Sequence, residues 1–517
     1  MHHTTHISSI YGTLVATAQR ENRYPTQTPT FNLHRALRRM FAALARRVLR
    51  HPGVQHFTLL AFVAIALMGL TLPPSAFAAE PVDGALAQPS QSSTTLPPTP
   101  ALGDIALQAW AVHGQVTNIT QKHSRFNSPY SGPNSLDPAG RIEETTDLTL
   151  FAGLRLWHGA ELWINPEIDQ GFGFNNTLGA AGFPNGGAYK VGSNAPYPRV
   201  PRAFIRQTIA LGGALQIIEP AANQLDGTRA TNNLILTAGK FAVTDLFDTN
   251  AYAHDPRADF LNWSIIDSGP FDYAADSWGY TYGGAAEWTQ DWFTLRGGVF
   301  QLSEIPNGKV TGVHFSQNAL IAELEVRHQV TGHPGKVKLL VFRNRGNMGS
   351  YRDALQLGVA TASAPDVSMV RQVGSHSGIS LNLEQEIAGD IGAFARVGDN
   401  GGDKEAYEFS DINKSISAGL SIKGDGWHRP DDTIGLALAV NGLSGNARDY
   451  FAAGGLGILV GDGALNYGSE RILEAYYTLR ANSHIGLTLD LQRIVNPAYN
   501  RDRGPVNFVA LRAHGEF

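Results

Sequence analysis

From about residue 104 to Phe517 the chain repeats one unit: two stretches alternating apolar with polar residues, a tight turn between them, then a long polar loop. The clearest copy runs from Asp147 to Asp169. Leu148, Leu150, Ala152, Leu154 and Leu156, then Leu162, Ile164 and Ile168, fall on one face; Asp147, Thr149, Arg155, Glu161, Asn165, Glu167 and Asp169 fall on the other. A period of two sends these sets to opposite sides of a sheet. A soluble sheet turns its oily face inward, but this pattern recurs along the whole chain. The repetition predicts an all-β, transmembrane antiparallel β-barrel around a water-filled lumen. No apolar run of the mature chain reaches membrane-helix length, and closure is the way a sheet satisfies every backbone group in lipid.

The N-terminus carries an export signal. Arg35, Arg38, Arg39, Arg46, Arg47 and Arg50 precede an apolar run from Phe57 to Leu72, followed by Pro73-Pro74 and the small-x-small site Ala76-Phe77-Ala78. This pattern predicts a secretory signal peptide cut after Ala78, with Met40 the better translation start. Three segments follow: 1–78 as extension and signal, 79–103 as a flexible Pro/Ser/Thr-rich tail, and 104–517 as the barrel. Residues 1–78 hold eight Lys/Arg and one acidic residue, so cleavage moves the formal charge from −5 to about −12. An acidic mature chain is a poor nucleic-acid binder. Charged residues make up only 16% of the sequence, glycines number 56 and cysteine is absent. That balance suits a turn-rich β protein and leaves no thiolate for catalysis or metal binding.

About sixteen strands are expected, over 104–119, 143–156, 160–170, 202–212, 232–242, 278–288, 291–302, 319–330, 335–345, 378–387, 390–398, 414–423, 432–442, 470–480, 484–494 and 505–517. Tight turns such as Trp157-His158-Gly159, Gln290-Asp291 and Asn482-Ser483 alternate with long loops, which predicts short periplasmic turns and long extracellular loops. Residues 213–231 break the rule and read as either a longer turn or an additional hairpin. Val509, Leu511, Ala513, Gly515 and Phe517 share one face of the last strand. The terminal Phe517 resembles the signal read by the outer-membrane assembly machinery.

About sixteen strands leave room for a channel, so function belongs to lumen side chains and inward loops. The segment Pro198–Arg206 is the densest basic site of the mature chain, with Arg199, Arg202 and Arg206. Arg202, Phe204, Arg206 and Thr208 share a strand face. Guanidinium groups suit sugar hydroxyls or anions, and equally suit structural pairing with lumen carboxylates. The loop Val243–Ser277 interleaves Asp245, Asp248, Asp255, Asp259 and further aspartates with Tyr252, Phe260, Trp263, Phe271 and Tyr273, and is expected to fold into the lumen. Rings beside carboxylates suit a pyranose, although Trp263 and Tyr273 could instead pin the loop to the wall.

Same-face acids such as Glu384/Glu386 follow from alternation alone, and no nucleophile elbow occurs, so catalysis is not expected. Asp399–Asp403 reads as a turn and not as a calcium loop. No metal or cofactor is expected.

The segments Phe126–Leu136, Gly159–Glu167, Gly182–Gly186, Pro201–Gln207, Phe247–Asn250, Asp255-Pro256-Arg257 and Phe260–Trp263 resemble those of carbohydrate-selective porins of the OprB type. The resemblance implies a sixteen-stranded outer-membrane channel passing glucose and other small sugars down a gradient; the sequence leaves monomer or trimer open. The arginine strand, the acidic aromatic loop and the resemblance together favour a passive, sugar-preferring pore in a lipid bilayer, with a general or anion-preferring pore as the alternative. Its candidate lining comprises Arg155, Glu161, Glu167, Asp169, Arg199, Arg202, Arg206, Asp255, Arg257, Asp259 and Trp263. Arg202 and Arg206 are expected to face Glu161, Glu167 and Asp169.

Overall fold

The computed structural model describes residues 108–188, 192–408 and 411–517. The N-terminal extension, the cleavage site at Ala78 and the tail at 79–103 lie outside the described residues. Sixteen strands follow in order: β1 (Trp110–His123), β2 (Arg141–Trp157), β3 (Ala160–Gly171), β4 (Ser193–Ile218), β5 (Gly227–Phe241), β6 (Thr281–Gln290), β7 (Phe293–Gln301), β8 (Asn318–Val330), β9 (His333–Met348), β10 (Gln372–Ala388), β11 (Ile391–Asp399), β12 (Lys414–Gly424), β13 (Arg429–Gly442), β14 (Glu470–Arg480), β15 (Ile485–Val495) and β16 (Val506–Glu516). Every strand pairs antiparallel with its sequence neighbours, and β1 pairs with β16 to close the barrel. Each of the sixteen expected stretches overlaps one observed strand. The main differences are at β1, which begins at Trp110 and not at 104, and at β4, which starts earlier and ends later than expected.

The alternation sorts as expected. On β2 and β3, Leu148, Leu150, Leu154, Ile164 and Ile168 are exposed on the outer wall, while Thr149, Asn165, Glu167 and Asp169 are buried inside. Val509, Leu511 and Phe517 also face outward. The amide and carbonyl of Phe517 exchange hydrogen bonds with those of Gly114, finishing the seam. Trp110, Trp157, Trp288 and Trp292 are exposed near the rim of short turns, the place of an interfacial aromatic girdle. Among the described residues no helix is long and apolar enough to cross a membrane.

The 213–231 segment is a hairpin that outgrows the barrel. β4 and β5 remain paired down to Ile218 opposite Gly227, with register shifts between Ala210 and Leu215. Residues 219–226 close the ribbon through an Ala221–Gln224 bridge. At the opposite rim the loops are long, and three carry helices: α1 (Trp263–Ile266), α2 (Tyr351–Thr361) and α3 (Gly445–Ala452). The short α1 (Trp263–Ile266) lies within the β5–β6 loop, which folds inward as expected, most of its residues being buried.

Candidate functional site

An odd residue spacing would put Arg199 and Arg202 on opposite faces of β4. A register shift prevents this: Asn165 pairs with Arg202 and Glu167 with Arg199, so three steps on β4 oppose two on β3. The extra residue re-aims the strand, with Pro201, which lacks an N–H to lose, sitting in the bulge. Both arginines then reach one place. The Tyr280 ring lies 5.0 Å from each guanidinium carbon. Arg199 pairs with Asp169 and, through Nη2 at 2.5 Å, with Glu167, which also accepts from the Thr149 hydroxyl at 2.6 Å. Arg202 donates twice to Asp245 of the inward loop, at 2.8 and 2.6 Å.

Around this pair, Arg257 donates to Asp147 at 2.9 Å and lies 3.8 Å from Asp255, while Lys240 lies 3.9 Å from Asp276. Burial pushes the Tyr280 phenol up from its ordinary range; Arg202, Arg199 and Arg257 oppose that shift, and Glu167 reinforces it. One ring thus feels three arginines and a carboxylate. Asp259 is buried nearby in the loop and accepts from the His254 and Asp255 amides, each at 3.2 Å. Burial, with the negative Asp255 beside it, pushes its carboxyl up to about 6.

The inward loop is held from many sides of the wall. Glu474 of β14 accepts from the Leu261 and Asn262 amides at 2.5 and 3.0 Å. Arg512 of β16 donates to the carbonyls of Pro256, Ala258 and Asp259, and Arg396 of β11 to those of Ala253 and Ile265. Glu323 of β8 and Glu384 of β10 accept from the Asp248 and Ala251 amides. The β3–β4 loop joins it, as Phe183 stacks on Trp263 with centroids 5.1 Å apart.

The expected lining residues therefore divide. Glu167, Asp169, Arg199, Arg202, Arg257 and Asp255 come together, with Asp259 in the same loop. Arg155, Glu161 and Arg206 form a second group toward the short-turn rim. There Arg206 donates to the Asn223 carbonyl at 2.7 Å and lies 3.7 Å from Glu161, and Arg155 donates to the Asp226 carbonyl at 2.6 Å. Of the expected pairing of Arg202 and Arg206 with Glu161, Glu167 and Asp169, Arg206 does meet Glu161, but the rest is corrected: Arg202 meets Asp245, and Glu167 and Asp169 belong to Arg199. The bulge and the ribbon tip, neither visible in the alternation, cause the exchange. Trp263 is also corrected as a lining ring. It is 5% exposed, stacked on Phe183 and tilted against Tyr273, so it packs the loop instead of facing the lumen.

Sequence reasoning missed Tyr280 and Arg296. Arg296 is enclosed by Glu287, Glu323 and Glu325 at 3.0, 2.7 and 3.0 Å. Its signal was available, because a lone arginine between outward-facing Leu295 and Gly297 must point inward in an alternating strand.

Comparison with known proteins agrees with this architecture. The family model described as carbohydrate-selective porin, OprB family, matches residues 133–517. The solved OprB of Pseudomonas putida superposes with a TM-score of 0.60 at 15% identity, covering 79% of this chain and 94% of its own. The outer-membrane channel DcaP of Acinetobacter baumannii gives a TM-score of 0.45 at 13% identity, over 79% and 97% of the two chains. At 15% identity the OprB structure speaks to the fold alone. A search of the curated proteins returned no match. With its family match covering most of the described barrel, the chain belongs to the OprB family of carbohydrate-selective porins, channel proteins of the bacterial outer membrane.

Proposed function

We propose that the chain is a passive, sugar-preferring pore whose selectivity rests on the cluster around Tyr280. The carrying observation is that its cations are paired: Arg199 with Glu167 and Asp169, Arg202 with Asp245, Arg257 with Asp147. Paired charges leave little net field to attract an ion but present many fixed donors and acceptors. A neutral, hydroxyl-rich solute can exchange its hydration for them, and the Tyr280 ring offers an apolar neighbour for a pyranose face. An anion-preferring pore would instead be served by cations without carboxylate partners. Binding stays weak, since a channel that holds its solute does not release it. Conduction by this route requires neither cofactor nor energy source.

Purified mature protein in planar bilayers is expected to form pores whose ion current falls when glucose or maltose is added. Alanine at both Arg199 and Arg202 is expected to weaken that block roughly tenfold or more, the scale of losing charge-assisted hydrogen bonds. Pores that conduct normally but show no sugar block would overturn the sugar preference.

A further inference from the structure

The arginines and lysines named above lie close to carboxylates or carbonyls, with one clear contrast on the outer wall. Arg343 and Arg345 of β9 point outward and are exposed. Among the described residues neither has a carboxylate within 4.0 Å; Arg343 donates only to the Ser375 hydroxyl, at 3.2 Å. Their cross-strand neighbours are uncharged. Arg343 lies between Leu320 of β8 and Ser377 of β10, and Arg345 between Asn318 and Ser375.

Height places these groups. β9 begins at His333 beside the short-turn rim, and Arg343 is ten residues along it. At ~3.3 Å per residue and a tilt of ~40°, that rise is roughly 25 Å, the thickness of the apolar band of such barrels. Val341 and Leu320, at or just below this level, are exposed apolar residues. The guanidinium groups thus emerge where acyl chains end and headgroups begin, on the long-loop side, which faces the cell exterior in this fold. Arginine in that position, with serine and asparagine beside it, matches the donors that a phosphate attached to a sugar needs.

We infer that Arg343 and Arg345 form a lateral site for a phosphorylated glycolipid headgroup of the outer leaflet, the acyl chains lying against Val341 and Leu320. The site is independent of solute passage. Its test uses the whole mature barrel in detergent, titrated with a bisphosphorylated lipid A-type glycolipid, its dephosphorylated form, and inorganic phosphate, with binding read by native mass spectrometry. The phosphorylated glycolipid is expected to bind at least about tenfold more tightly than the dephosphorylated one, and R343Q/R345Q to remove that margin. Bilayer conductance of the variant is expected to match wild type, which shows that the barrel is intact. Equal binding of both glycolipids, a variant that binds as wild type does, or displacement of the glycolipid by millimolar phosphate would each overturn the assignment.

Discussion

Arg296 holds three carboxylates that no other single group could satisfy together, so its loss leaves buried charge behind. Arg296→Ala is expected to destabilise the barrel by about 3–5 kcal/mol, the usual cost of orphaning a buried ion pair. Urea unfolding in detergent, followed by tryptophan fluorescence, would show no shift if the network were ornamental. Asp259 makes a prediction in pH. Its folded carboxyl titrates near 6 because burial and Asp255 disfavour the charged form. The neutral acid is therefore the favoured folded form. Its contribution to stability is full below the ordinary carboxylate range and is lost as pH rises through 6. In the pore, lowering pH through 6 removes one negative charge, so cation preference is expected to fall across that window. Reversal potentials measured from pH 5 to 7 in a salt gradient would show the step, and Asp259→Asn would abolish it. At this scale the sequence was most informative about which face a residue takes. It was least informative about partners, because the mate of Arg202 depends on a bulge and a distant loop.

The sixteen strands were legible because alternation is local, and so was the inward loop, whose aromatics have no place in free solvent. The anchoring of that loop was not. Glu474 receives the Leu261 and Asn262 amides from more than two hundred positions away, and no window of sequence spans both. The anchors come from β8, β10, β11, β14 and β16, so the loop is held around much of the wall and behaves as part of it. Glu474→Leu removes two hydrogen bonds to a buried carboxyl, each worth roughly 0.5–1.5 kcal/mol in other proteins. The expected outcome is flickering single-channel current with an intact barrel; a trace as quiet as wild type would mean that the remaining anchors suffice. The length of β4 was left open for a related reason, residues 213–231 reading as either a longer turn or an additional hairpin. Leu211, Leu215 and Ile217 continue an apolar rhythm past the rim, but Gly212-Gly213 reads as a turn when taken alone.

For the molecule as a whole, closure depends on the seam between β1 and β16, where Phe517 is exposed yet its backbone is paired with Gly114. Deleting Phe517 is expected to lower the yield of protein in the outer membrane while leaving refolding in detergent nearly unchanged, as membrane fractionation and heat-modifiable gel mobility would report. The ribbon at the short-turn rim gives the path a property that neither group of charges has alone. Its tip is fastened to Arg155 and Arg206, and Gln108 and Asp226 exchange hydrogen bonds where the described chain begins. On the proposed route a solute leaving the Tyr280 cluster would meet the ribbon tip as a second obstacle, and the two would act as resistances in series. Current is set mostly by the larger of them, whereas sugar block is set by whichever one binds. Excising the ribbon tip should thus raise conductance without changing the concentration of sugar that halves it, so that one measurement separates the narrow place from the sticky one.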